Sequence, residues 1–271
     1  MTTKSTVSIL ALALAVAACG SDGGATNTSA ATTTTTAAAG SDLPQGGDPV
    51  QLDPADFTTE IDNPYFPLVP GTRMTYREVD GEGAVSEIIL IVTTDTKEIA
   101  NGITARVVRD TVTLDGAIIE DTFDWYAQDA EGNVWYLGED TAEFENGQIV
   151  STEGSWEAGV DGALPGIVMP ADPQDGMAYR QEFYEGEAED NAEVLSIEEQ
   201  VDVAFGHFDD VVLTKDTITI EPGILEYKLY APGVGAVLIL DIAGTSGREE
   251  LVSVDQAPEG AGTGPLGSPN P

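Results

Sequence analysis

The residues best placed to do chemistry are two Trp-Tyr pairs, Trp125-Tyr126 and Trp135-Tyr136, together with an unusual supply of acids. The pairs flank Asp129-Ala130-Glu131-Gly132-Asn133, a turn-forming string, so they fall on neighbouring antiparallel strands. Strand alternation sends the Trp of each pair to one face and the Tyr to the other. Cross-strand aromatic contact on both faces follows, as core packing or as the wall of a ligand pocket in a small barrel. Trp156, shortly before a Pro/Gly-rich stretch, is expected to act as a lid or to cover an end of the sheet. The acids number 48 against 10 Lys and Arg, a formal net charge of -38. Two carboxyls in one cleft with their pKa values pushed apart would serve a hydrolase. Asp129, Glu131 and Asp140 form a calcium-like oxygen set, but glycine sits at the fourth position and Asp replaces the closing Glu. A hairpin turn accounts for the same string.

Other chemistries are closed by composition. There is one histidine, His207, in a turn-like Gly206-His207-Phe208, and no Gly-x-Ser-x-Gly elbow. One cysteine and one histidine cannot build zinc sites of four cysteines or of two cysteines and two histidines. Phosphate loops and dinucleotide fingerprints are absent, so no cofactor is expected and no catalytic residue is assigned. So acidic a chain is a poor partner for nucleic acid, whose affinity comes from Lys and Arg. The acidity itself suits a hydrated surface in a saline setting, or the recruitment of divalent cations or a cationic partner.

The elements that must position these groups are strands. Asp80-Gly81, Asn101-Gly102, Asp115-Gly116, Gly132-Asn133 and Asn146-Gly147 punctuate runs rich in Val, Ile, Thr, Tyr and Trp, among them 72–79, 85–93, 104–113, 117–126 and 134–137. Further runs follow at 178–184, 192–197, 209–215, 225–230, 236–241 and 249–254, after a Pro/Gly-rich loop at 163–176. The one stretch with any helical period, 182–199, is weak. These signals predict an all-β fold, an antiparallel meander closed or nearly closed as a barrel, half-barrel or sandwich.

The ends differ in kind. Residues 1–18 read as a signal peptide: Lys4, an apolar run too short to span a bilayer, and small residues before Cys19. Val16-Ala17-Ala18-Cys19 resembles the bacterial lipoprotein box, which implies an acylated (palmitate-type) Cys19, attachment to a membrane and an extracytoplasmic body in the cell envelope. Residues 19–49, with the threonine run 32–36, read as a flexible tether, 50–256 as one β-rich domain and 257–271 as a disordered tail.

Within the body, Ile61-Asp62-Asn63-Pro64-Tyr65-Phe66-Pro67-Leu68-Val69-Pro70-Gly71-Thr72, Asp124-Trp125-Tyr126-Ala127-Gln128-Asp129, Gly132-Asn133-Val134-Trp135-Tyr136 and Tyr230-Ala231-Pro232-Gly233-Val234-Gly235 resemble landmarks of a group of uncharacterised bacterial envelope proteins. The group is similar in pattern to periplasmic lipoprotein-carrier half-barrels, and it brings no reaction with it. The expectation is a binding protein for an apolar or amphiphilic ligand or for an envelope partner. Trp125, Tyr126, Trp135, Tyr136 and Trp156 are the candidate ligand contacts. A carboxylate hydrolase and a structural lipoprotein without small ligand are the alternatives.

Overall fold

The computed structural model describes residues 43–269; the signal peptide, Cys19 and most of the tether lie outside them. After a 3-10 turn at Pro54–Asp56, the described residues build sixteen strands. These are β1 (Phe57–Thr58), β2 (Thr72–Asp80), β3 (Val85–Glu98), β4 (Thr104–Leu114), β5 (Ala117–Asp129), β6 (Val134–Glu145), β7 (Gln148–Ser151) and β8 (Trp156–Glu157). Then come β9 (Leu164–Met169), β10 (Ala178–Arg180), β11 (Glu182–Phe183), β12 (Asp190–Val203), β13 (Gly206–Ile218), β14 (Leu225–Ala231), β15 (Gly235–Ala243) and β16 (Gly247–Gln256). The fold is all-β, as the hairpin signals predict. Asp115-Gly116 and Asn146-Gly147 carry positive φ at both residues, the backbone of the two-residue turns that join β4 to β5 and β6 to β7.

The strands pair antiparallel in the order β10-β12-β13-β14-β15-β16-β2-β3-β4-β5-β6-β9-β11. Its two outer members are consecutive in sequence. β10 pairs with β12 on one side, and after Gln181 the chain continues as β11, which pairs with β9 on the other. Both edges of the sheet therefore meet at Gln181, and the sheet is an almost closed barrel. Gly166 sits where a Cβ would lie 2.3 Å from Gln181 backbone atoms, so only glycine permits this closing approach.

Several expectations are corrected. The Pro/Gly-rich loop 163–176 contains β9, because Leu164, Ile167 and Met169 find partners on β6 and β11. The stretch of weak helical period is β11 and most of β12, whose three register shifts break the period-2 pattern. The tail is not loose over its described part. Residues 257–269 lie across the outer face of β3 to β6: Ala261 packs on Ile89 and Ile91, and Gly267 lies against Phe144. The end of the tether is docked as well. Buried Arg180 donates to the carbonyls of Gly46 and Asp48 at 2.5 and 2.6 Å, and its backbone N–H donates to Pro44. No helix among the described residues is long and apolar enough to cross a membrane.

Candidate functional site

The barrel encloses a cavity of about 250 Å³. Its walls are set by the register of β5 against β6. Four cross-strand pairs rise along it: Tyr126–Tyr136, Asp124–Glu139, Thr122–Thr141 and Glu120–Glu143. On β5 these are alternate residues, as a pleated strand requires. On β6, Tyr136 and Glu139 are three apart, and the extra residue is a bulge at Gly138, whose φ is 130. A Cβ there would meet the Trp156 carbonyl oxygen at 2.3 Å. The glycine bulge thus returns Glu139 to the lumen instead of the opposite face.

One end of the cavity is aromatic and apolar. Tyr126 and Tyr136 stack at 4.9 Å between ring centres, Phe66 meets Tyr126 edge-on at 5.4 Å, and Trp156 meets Tyr136 edge-on at 5.4 Å. Leu68, Met74, Val108 and Ala236 complete this end. Toward the other end, where the β13–β14 loop brings Ile220, Glu221 and Ile224, the walls turn acidic. Among the described residues, twelve carboxylic acids line the cavity against a single lysine, Lys228.

That lysine is committed. Its Nζ lies 3.0 Å from Asp216 and 3.4 Å from Glu226. Burial alone would lower its pKa, but these two charges outweigh burial and raise it. Elsewhere the acids crowd one another, and among the described residues no second cation pairs with them at ion-pair distance. Burial, followed by the charges of Asp124 and Asp121, raises Asp110. Burial also pushes Asp124 up to about 7, against a hydrogen bond from Tyr136 that favours the ionised form. Glu139 is raised by burial and by Asp124, and Glu120 by burial and by Asp110. Asp190 is pushed by burial to about 8, and its neighbour Glu182 is raised by burial and by Asp190. Across β2 and β16, Glu78 stands opposite Glu249. Burial takes Glu78 to about 7 and raises Glu249 too.

The hydrogen bonding agrees with these directions independently. The Tyr136 hydroxyl lies 2.7 Å from Asp124 Oδ1 and 2.7 Å from Glu139 Oε2. A phenol has one proton to give, so one of the two carboxyls must supply the other. Even so, Glu139 Oε1 and Asp110 Oδ1 are buried with no hydrogen-bond partner. Directly opposed like charges destabilise a sheet, and unsatisfied buried oxygens destabilise it further. Repetition of both in one cavity is difficult to explain as packing.

The expected contacts divide. Tyr126 and Tyr136 line the cavity, and Trp156 backs Tyr136 and faces Glu182. Trp125 and Trp135 are turned to the opposite face, as alternation predicts. There Lys97 sits 4.3 Å over Trp125 and Phe57 meets Trp135 edge-on, so neither belongs to the pocket. The calcium-like set is not assembled either. Asp129 accepts hydrogen bonds from the backbone of Glu131 and Asn133, from the Asn133 side chain and from Trp135 Nε1, all within 2.9 Å. It organises the β5–β6 turn, while Asp140 lies about 20 Å further along β6 at the usual strand rise. Among the described residues no group of three or more acids, histidines or cysteines is arranged to hold a metal ion. His207 is exposed in the β12–β13 hairpin between Asp202 and Asp209 and is not among the residues that line the cavity.

Sequence reasoning missed the lumenal acids. Their signal was present as Glu120-x-Thr122-x-Asp124-x-Tyr126, one face of a strand, but Asp121 on the other face masks it.

No family model and no curated protein matches the sequence. Among solved structures, a "putative lipoprotein" from Parabacteroides distasonis ATCC 8503 is similar with a TM-score of 0.40 and 12% identity, over 70% of this chain and 98% of its own. A beta-barrel-like protein of the domain of unknown function DUF1849 from Brucella abortus gives 0.34 and 14%, over 69% and 98%. Likenesses this distant carry no statement about ligand or activity.

Proposed function

We propose that this chain is a membrane-anchored envelope lipoprotein that holds a small amphiphile inside its barrel. The observation that carries the reading is the cavity's divided lining, with Phe66, Leu68 and the Tyr126–Tyr136 stack at one end and carboxyls that begin directly beside that stack, at Asp124 and Glu139. A filled core would have no such space, and an aromatic, apolar lining with convergent polar groups is the usual make-up of a small-molecule pocket. The proposed anchor is acylated Cys19, with the tether giving the barrel reach from the bilayer.

The hydrolase reading has one observation in its favour, close carboxyls of displaced pKa. Acid–base hydrolysis needs one acid and one ionised partner, with pKa values driven apart. Asp124, Glu139, Glu182 and Asp190 are all displaced the same way, upward. That pattern suits a site awaiting a counter-charge better than a paired acid and base.

Native mass spectrometry of the full chain carrying Cys19→Ser, purified from cells without detergent, tests the binding. A stoichiometric small amphiphile is the expected result, and a clean apo mass that no added amphiphile shifts would overturn it. Palmitate labelling of the wild-type chain, lost in Cys19→Ser, checks the anchor.

A further inference from the structure

We propose that the polar end of the bound amphiphile is an amine-type cation, an ammonium or guanidinium group that donates hydrogen bonds to the lumenal carboxylates. This rests on the binding reading above and names the ligand class.

Each carboxylate oxygen accepts hydrogen bonds, and an ionised one also needs a counter-charge. Lys228 supplies both on one wall, to Asp216 and Glu226. On the facing wall Asp110, Asp124 and Glu139 have no cation. The Tyr136 hydroxyl is shared between two of them, and Asp110 Oδ1 and Glu139 Oε1 have no donor at all. Asp110 is 9% exposed and Glu139 3%, so both carboxyls are nine-tenths or more buried where they face the cavity.

A second Lys228-like group in this space would satisfy both deficits, and the described residues provide none. Arg109 faces away and is spent on Asp121. Arg106 donates to the carbonyls of Thr59, Thr94 and Asp95, beyond the aromatic end. Beside the orphaned oxygens stand the Tyr126 and Tyr136 rings, whose faces attract cations. An apolar segment reaching toward Phe66 and Leu68 would place its amine among Asp110, Asp124 and Glu139. An anionic or zwitterionic head would meet like charge along most of the wall.

Binding must then be linked to protons. Carboxyls that hold protons in the empty cavity release them when a cation arrives, so affinity rises with pH until the empty-state pKa values are passed. The groups that face this exchange are Asp110 on β4, Glu120 and Asp124 on β5, Glu139 and Glu143 on β6, Glu182 on β11, and Asp190 on β12. Lys228 with Glu226 on β14, Asp216 on β13, Glu249 on β16 and the loop residues Glu187 and Glu221 complete the ring.

Isothermal titration of the full chain carrying Cys19→Ser with octylammonium, octyl sulfate, octyl glucoside and calcium chloride, at pH 6 and pH 8, tests this. Octylammonium is expected to bind one per chain, at least ~10-fold tighter than the sulfate or the glucoside, a difference of about 1.4 kcal/mol. It should bind tighter at pH 8 than at pH 6, with buffer-dependent heats that report proton release. The Asp124→Asn, Glu139→Gln double variant should lose the preference while its circular dichroism and melting stay those of a folded barrel. If octyl glucoside binds as well as octylammonium, the cationic head is wrong and the amphiphile reading stands. If none of the three octyl compounds binds, both fall. Saturable calcium binding without octylammonium binding would overturn the proposal in favour of a metal ion. Retention of the preference in the folded double variant would overturn the assigned wall.

Discussion

The two faces of the β4–β5 hairpin bury charge in opposite ways. On the outer face, Asp121 is fully buried and meets four donors: Arg109 Nε at 2.9 Å, Arg109 Nη2 at 2.5 Å, Thr111 Oγ1 at 2.8 Å and the Gly267 backbone at 2.6 Å. The remaining Arg109 donors reach the tail, with the Ser268 carbonyl at 2.9 Å. One residue further along the same strand the side chains turn inward, and Glu120, Thr122 and Asp124 enter a cavity with too few donors and one lysine. The same residue types therefore do two jobs. Where each lone pair is met, the carboxylate fastens a segment to the sheet. Where pairs are left open, the structure bears an energetic cost that ligand binding would relieve.

The clasp should be the more sensitive of the two. Asp121→Ala leaves the Arg109 guanidinium buried without its counter-charge and releases Gly267, a change expected to cost about 3–5 kcal/mol in chemical denaturation. If Asp121→Ala melts like the parent chain, the tail is no fastener and the contrast between the faces collapses. Gly138→Ala should rank second. It forces a side chain onto a φ of 130 and against the Trp156 carbonyl, for an expected loss of roughly 1–3 kcal/mol from backbone strain alone, plus the clash. Because the bulge also aims Glu139 inward, the variant should lose octylammonium binding beyond what its stability loss explains.

The lumen should respond with the opposite sign. Asp124 titrates near 7 in the fold against an ordinary 3.8, and Asp190 near 8. Between those limits the folded chain holds protons that the unfolded chain has lost, so stability falls as pH rises. The empty protein is thus expected to be most stable below pH 4 to 5 as far as these groups are concerned, and to lose stability progressively up to about pH 8. Asp124→Asn with Glu139→Gln should flatten that slope and stabilise the chain at pH 8 by about 1–3 kcal/mol, the range for relieving buried, unmet polar groups. Thermal melts from pH 5 to pH 8 read both effects. A parent chain that gains stability over this range would show that the carboxyls are already compensated.

How much of this could be read from residues alone follows from what a strand pattern encodes. Asp115-Gly116 and Asn146-Gly147 announced their turns because positive φ is written in residue type, and the Trp-Tyr pairs announced opposite faces because alternation is local. The pattern does not say which face is the inside. Glu120, Asp121 and Asp124 are three acids within five residues, and only the partners, Arg109 for one and Glu143 and Glu139 for the others, separate clasp from cavity. Closure at Gln181 was hidden for a similar reason. β10 and β11 are too short to carry a pattern, and their partners lie on different strands. The tail looked disordered because Gly and Pro lack a core period, yet it needs only glycines that approach Thr93 and Phe144 closely and carbonyls that reach Arg109.

A third setting for charge sharpens the comparison at its weak end. His207 is exposed in the β12–β13 hairpin, with Nδ1 3.0 Å from Asp202 and Nε2 3.4 Å from Asp209. Its hydrogen bond to Asp202 and the two negative charges raise its pKa from the ordinary 6.5. A raised histidine adds stability below its unfolded pKa and loses that contribution as pH climbs through the folded value, so the direction matches the lumen's although the cause is attraction rather than crowding. Water and salt screen such a pair, and each side chain keeps freedom that a buried group has lost. His207→Gln should therefore leave the melting midpoint unchanged at pH 8 and lower it only slightly at pH 5.5, with the difference vanishing in high salt. A drop comparable to that of the clasp variant would mean that net charge on this acidic surface, rather than burial and unmet hydrogen bonds, governs where the chain is sensitive.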